Sequence, residues 1–172
     1  APDVEDYERF FAQNLTEAQN VIHITMARHT SQGYQNALEA AKSFENVTVL
    51  DSGHLSSSMG LAVLYAASMA ENHVPRAEIA ETLKRLRHYI SSAFIIDNTH
   101  MMCQAGQISK RIRILCDALL LHPIIMLRNS KMIVSGIEIG SFAHMARRYI
   151  RKMLLNPKNI DRRILFITYA GL

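Results

Sequence analysis

Two short apolar runs, Val21–Met26 and Val47–Leu50, each lead into a polar turn that opens a helix. That spacing constrains the fold more than any other feature of the chain. The first run is followed by His29-Thr30-Ser31-Gln32-Gly33, then by Tyr34, Ala37, Leu38 and Ala41 at helical intervals. The stripe predicts a helix packed on a sheet and continuing to about Phe44, with Thr30 and Ser31 where N-cap residues belong. The second run ends in Asp51-Ser52-Gly53-His54 ahead of Ser56–Asn72, a helical stretch with small residues at Gly60, Ala62, Ala66, Ala67 and Ala70. Pro75 then opens a helix with an apolar seam of Ile79, Leu83, Leu86 and Ile90. With Val4–Gln13 as a leading helix, the alternation predicts an α/β unit built on a parallel sheet.

Beyond Ser91 the character changes. Ala93–Asp97 reads as a strand, Met101–Gln104 as a short helix stopped at Ala105-Gly106, and Ile108–Leu119 as another helix. His122–Arg128 and Lys131–Ile139 read as strands joined at Asn129-Ser130, a two-residue hairpin signal. Ser141–Leu155 reads as a helix with a basic face halted by Pro157, and Arg163–Tyr169 as a last strand. This order predicts an α+β unit with a mostly antiparallel sheet. The expected division is therefore 1–91 and 92–172.

Charge supports the same division. Up to Ser91 the chain has 7 Lys/Arg against 11 Asp/Glu, and beyond it 12 against 4. The basic residues fall on predicted helices, as Lys110-Arg111-x-Arg113 and Arg147-Arg148-x-x-Arg151-Lys152, with little aromatic interleaving. That pattern reads as a solvated helix face, or a docking surface for an acidic protein, in preference to a nucleic-acid reader. No apolar run approaches the ~18 residues that span a bilayer. Two cysteines, Cys103 and Cys116, are too few for a disulfide framework, and the acidic start Ala1–Asp6 lacks the pattern of a signal peptide. A cytoplasmic protein with reduced thiols is expected.

The turn at His29–Gly33 offers the clearest chemistry. Backbone N–H groups at a helix start, with the positive end of its dipole, suit a carboxylate or phosphate. His29, Ser31, Asp51 and His54 also admit a hydrolase reading, since a nucleophilic serine needs a base and an orienting acid. No Gly-x-Ser-x-Gly elbow accompanies them, which weighs against catalysis. His100-x-x-Cys103 lacks a second pair at zinc-site spacing, and no Gly-rich phosphate loop is present.

Four stretches in order resemble the DegV family, bacterial two-domain proteins that bind a fatty acid. Ala27-Arg28-His29-Thr30-Ser31-Gln32-Gly33-Tyr34-Gln35-Asn36-Ala37 is similar to its Ser-Ser-x-Leu-Ser-Gly-Thr-Tyr-Gln-Ser-Ala signature. Val49-Leu50-Asp51-Ser52 through Ser58-Met59-Gly60 resembles the strand ending in Asp-Ser with its following Ser-x-Gly. Ile96-Asp97 through Gln107-Ile108 resembles Val-Asp-x-Leu-Glu-Tyr-Leu-x-x-Gly-Gly-Arg-Ile, with Gln107 in place of the arginine. Leu119-Leu120-Leu121-His122-Pro123-Ile124-Ile125 resembles Leu-x-Ile-Lys-Pro-Ile-Leu.

The resemblance implies a DegV-like α/β fold and a non-enzymatic lipid-binding module with no cofactor beyond a bound long-chain fatty acid. The carboxylate is expected near Ser31, the acyl chain between the two subdomains. In the family two further groups help hold it, the hydroxyls of a Thr-Ser-Gln-Pro motif and a histidine near the end. That motif has no counterpart here and Tyr169 takes the histidine's place, so the chain resembles the middle portion of such a protein. The candidate ligand-binding set is Ser31, Gln32, Gly33, Thr30, His29, Ser52, Met26, Met59 and Tyr169, with Met101 and Met126 as further lining. A fatty-acid kinase or fused signalling domains are the implied partners. The alternative is a degenerate interaction or sensory module that has lost part of the lipid site and acts through self-association.

Overall fold

The structure, a computed structural model, describes residues 1–97, 99–104, 106, 108–128, 130–154, 164 and 166–168. Its contacts divide the chain into two compact units. The first holds Ala1–Ser92 with Leu127–Lys131 and Phe166–Leu172; the second holds Ala93–Met126 and Met132–Leu165.

The first unit begins with helix α1, Val4–Asn14. The Asp3 carboxylate accepts from the Asp6 amide at 2.8 Å, and the Asp6 carboxylate accepts from the Asp3 amide at 3.2 Å. This reciprocal box fixes the helix start and places two acids at its positive end. Strands β1 (Val21–Thr25) and β2 (Val47–Asp51) pair in parallel, with Val21 opposite Val47 and Thr25 opposite Asp51. Helices α2 (Gly33–Ala41), α3 (Ser56–Glu71) and α4 (Arg76–Leu86) complete the unit.

Alternation along the strands sorts side chains into two cores. Val21, Val47 and Val49 pack with Tyr7, Phe11, Ala37, Ala40 and Phe44 against α1 and α2. Ile22, Ile24 and Leu50 pack with Ala62, Ala66, Ile79, Ala80 and Leu83 against α3 and α4. The seam anticipated on α4 is present, Ile79 and Leu83 being buried with Leu86 and Ile90 packed beside them. The other stripes are rotated from expectation. On α2 the buried positions are Gly33, Ala37 and Ala40, leaving Tyr34 and Leu38 half-buried. On α3, Ser58, Ala62 and Ala66 are buried while Ala67 and Ala70 face solvent, because a run rich in alanine carries little contrast to set its phase.

A second sheet, centred on the second unit, pairs β3 (Ala93–Ile95) antiparallel with β4 (Leu121–Arg128), and β5 (Lys131–Ile139) lies on the other side of β4; Leu127, Arg128 and Lys131 at the strand ends group with the first unit. A two-residue connection between hydrogen-bonded neighbours makes β4 and β5 a hairpin. Helices α5 (His100–Gln104), α6 (Lys110–Ala118) and α7 (Phe142–Leu154) accompany the sheet. Ile124, Ile125, Cys116 and Met145 are buried. The buried ring of His122 joins three segments: Nδ1 lies 3.1 Å from the Ile96 carbonyl and Nε2 lies 2.9 Å from that of Gly140. The fold is thus α/β, with a parallel pair in the first unit and an antiparallel three-stranded sheet centred on the second. The strand anticipated over Arg163–Tyr169 falls partly outside the described residues; Ile164 and 166–168 are described and join no strand. β-branched composition favours a strand but does not supply its partner.

Candidate functional site

The carboxyl ends of β1 and β2 are tied together by their own backbone. The Ser52 amide donates to the Thr25 carbonyl at 3.1 Å and the Ala27 amide to that of His54 at 2.8 Å. Beyond Ala27 the chain folds tightly, with the Thr30 amide and hydroxyl both donating to the Ala27 carbonyl, at 2.9 and 2.6 Å. Thr30 is therefore part of that turn and not a helix cap. The N-cap position belongs to Gln32, which makes no side-chain cap bond. Ser31 acts one residue earlier, its Oγ accepting from the Gly33 amide at 3.1 Å. A hydroxyl that accepts in this way still has its own hydrogen to donate. The first-turn amides of a nine-residue helix stand beside it.

Gly33 is buried, and a Cβ there would sit 2.9 Å from the Tyr7 hydroxyl and 3.4 Å from Ser31 Oγ. The phenol of α1 thus stands over the turn, and burial raises its pKa above the usual tyrosine value. No local signal in the sequence links Tyr7 to a turn so much further along the chain.

The Asp51 carboxylate, its side chain only 3% exposed, organises the neighbouring strand end. Oδ1 accepts from the amides of Arg28 at 3.1 Å and Gly53 at 2.8 Å, and Oδ2 accepts from the Ser130 hydroxyl at 3.0 Å. Gly53 turns the chain at φ +70°, a conformation that costs a side-chain-bearing residue energy. The guanidiniums of Arg28 and Arg87 lie further off, at 3.8 and 3.7 Å from Oδ2. Neither arginine nor Ser130 was among the candidates, since none sits in a spacing that sequence alone connects to Asp51.

These bonds do not assemble a hydrolytic triad. His54 is buried, with Nε2 bonded to the Arg87 carbonyl at 2.9 Å and Nδ1 lying 3.4 Å from Ser92 Oγ. Asp51 bonds to amides and a hydroxyl, and Ser31 to Gly33. Ser52 is buried and its hydroxyl is engaged with the His54 backbone at 3.1–3.2 Å. His29 and Gln32 are exposed, Met26 is exposed, and Met59 and Met126 are half-buried. Tyr169 and the Met101 side chain lie outside what is described. Of the candidate set, the structure brings Thr30, Ser31, Gln32 and Gly33 into one turn and ties Ser52 to the adjoining strand end. Among the described residues no group of three or more His, Cys, Asp or Glu side chains is placed to hold a metal. Cys103 and Cys116 are unbridged. No helix among those residues is long and apolar enough to cross a membrane.

A paired strand end with a hydroxyl turn in one unit and an antiparallel sheet centred on the other define a two-unit α/β fold. A family model described as "Uncharacterised protein, DegV family" matches residues 1–167, and the chain belongs to the DegV family. A DegV domain-containing protein of Clostridium perfringens is 24% identical over 166 residues, 95% of this chain and 58% of that protein. Among solved structures, a fatty-acid-binding DegV family protein from Thermus thermophilus superposes with a TM-score of 0.71 at 26% identity, covering 89% of this chain and 54% of that one. A fatty acid kinase B3 protein of Streptococcus pneumoniae, loaded with linoleic acid, superposes with a TM-score of 0.73 at 15% identity, over 91% and 56% of the two chains. The chain spans little more than half the length of these relatives.

Proposed function

We propose that the chain is a non-enzymatic fatty-acid-binding module whose ligand carboxylate sits at the Ser31 turn. The observation that carries this reading is the turn itself, in a chain of this family whose Thermus structural neighbour is a fatty-acid binder. The Ser31 hydroxyl donates to the carboxylate while its oxygen is held by the Gly33 amide, so the donor is pre-aimed. The first-turn amides and the dipole of α2 add to the attraction. Half-buried Met59 is suited to contact a flexible acyl chain, since a thioether adapts to irregular apolar shapes. A fatty-acid kinase is the partner that the Streptococcus neighbour's name supports.

Organic extraction of the purified protein followed by mass spectrometry should release a long-chain acid in near-stoichiometric amount. Ser31→Ala should weaken that binding by ~1.5–3 kcal/mol, the scale of a hydrogen bond to a charged group. A loss below ~0.5 kcal/mol would place the carboxylate elsewhere, and an empty extract with no thermal shift on adding oleate would remove the reading altogether.

A further inference from the structure

His122 lies on β4, inside the second unit, and its ring is buried. Its two nitrogens face two different segments. Nδ1 lies 3.1 Å from the Ile96 carbonyl, just beyond β3, and Nε2 lies 2.9 Å from the Gly140 carbonyl, in the turn from β5 into α7. A carbonyl oxygen only accepts, so both contacts are hydrogen bonds only when both ring nitrogens carry hydrogen. A neutral imidazole carries one. The full set of contacts is therefore made by the imidazolium alone. His54 gives the contrast: its Nε2 meets the Arg87 carbonyl at 2.9 Å, but its Nδ1 faces the Ser92 hydroxyl, a group that donates as well as accepts. A neutral ring satisfies that arrangement and leaves His122 in conflict with one of its carbonyls.

The groups around the ring determine which contact gives way. Asp97 follows Ile96, and its Oδ1 lies 3.8 Å from Nδ1; among the described residues it is the acid within ion-pair distance of the ring. From α7 the ring meets Phe142, with ring centroids 6.0 Å apart. Burial disfavours a charged ring, while two bonds to carbonyls and the Asp97 carboxylate favour it, so the two charge states compete. When one proton leaves, the carboxylate beside Nδ1 keeps the remaining hydrogen there. Nε2 is then a bare lone pair turned toward the Gly140 oxygen, and that contact becomes repulsive. The rest of the turn stays anchored, because the Gly140 amide donates to the Leu120 carbonyl at 3.1 Å and Arg148 of α7 is paired with Glu138 of β5. In the sequence pattern that 119–125 resembles, position 122 is a lysine, a cation with donors for two acceptors at once.

We infer that His122 is a proton-operated clasp on the turn between β5 and α7. With two ring hydrogens it holds the Ile96 and Gly140 carbonyls together; with one it keeps Ile96 and lets go of Gly140. The clasp is complete at low pH and is lost as the pH rises through the ring's titration, because the protonated state is the one that makes both bonds. What loosens is the start of α7, whose Met145 remains buried.

Nitrogen-15 NMR of the full chain tests the inference between about pH 5 and about pH 8, the span over which histidine changes charge. Other histidines titrate there too, so the readouts are local. The ring signals of His122 should show two protonated nitrogens at the acidic end and hydrogen on Nδ1 alone at the basic end. Over the same span the Gly140 amide should lose protection against hydrogen exchange about tenfold or more, after correction for the intrinsic rate, as its turn loses a bond from a charged donor. The Ile96 amide, which donates to the Pro123 carbonyl at 3.3 Å, should keep its protection. His122→Lys should hold Gly140 at the protected level throughout, since its ammonium stays charged across this range. The clasp is overturned if the ring keeps one charge state over the whole span, if Gly140 protection does not change, if Ile96 loses protection in place of Gly140, or if His122→Lys loses it as the parent does. Where His122→Lys fails to fold, the ring signals and the Gly140 and Ile96 amides of the parent decide the matter without it.

Discussion

His23, on β1, is half-buried against α1, its ring centroid 5.3 Å from that of Tyr7, 5.9 Å from Phe10 and 5.4 Å from Phe11. Burial lowers its pKa below the ordinary histidine value, because an imidazolium among aromatic rings has lost its water. The consequence for stability has a definite sign. The unfolded chain takes up the proton near pH ~6.5 and the folded chain only at lower pH, so stability is full above ~6.5 and falls as the pH drops through that value. His23→Phe should keep the ring packing and flatten this slope. Urea midpoints measured from pH 7 downward would show the variant losing less stability than the parent, and parallel curves would mean that His23 does not contribute. At this scale the sequence was only partly legible. Ser31 was identified by its place after a strand, and its bond to Gly33 lies within that local span. Tyr7 over Gly33 and Ser130 on Asp51 depend on tertiary contacts between residues far apart in the chain, which no local pattern encodes.

Elements were more legible where an end carries a local signal, and less so at α2, which starts at Gln32 with no side-chain cap bond. The Asp3–Asp6 box opens α1, Pro75 opens α4 and Ser109 caps α6 by accepting from the Ile112 amide at 3.3 Å. The α1 cap matters beyond its own turn, since the helix carries both Tyr7 and Phe11 to their places against α2. Asp3→Ala removes the acceptor for the Asp6 amide and should cost ~1 kcal/mol of global stability, within the ~0.5–2 kcal/mol range of N-cap losses. Chemical denaturation monitored by far-ultraviolet circular dichroism would measure it, and a change within ~0.3 kcal/mol would mean that α1 starts without its cap. What misled the reading of elements was phase. On α2 and α3 the alanines are nearly interchangeable in hydropathy, so the buried stripe is chosen by the partner: Ala37 and Ala40 meet Phe11, and Ala62 and Ala66 meet Leu50 and Ile79.

Across the whole chain, four partial motifs in the right order pointed to the family, whereas no single motif did. Order survives divergence because each motif marks a strand end or turn that the backbone geometry requires, such as Asp51 holding the Gly53 turn. The surface is less even than the fold. Large exposed apolar side chains are concentrated on the second unit, among them Met132, Val134, Ile137 and Ile139 of β5, at 50%, 62%, 58% and 61% exposure. β5 is also an outer strand, with one edge unpaired among the described residues. A long apolar strand with a free edge is a template for pairing with another chain, and nothing on β5 but Lys131 and Glu138 opposes it by charge. The expected outcome is reversible self-association that does not require the bound ligand. Sedimentation velocity over a dilution series should show mass rising with concentration, and Val134→Lys with Ile137→Lys should return a monomer, since inserted charges on an edge strand repel a second copy. Because both positions are exposed, the double variant should keep the parent's thermal stability within ~1 kcal/mol at the monomer level. A parent that sediments as a monomer at every concentration would show that these side chains are tolerated on an open surface.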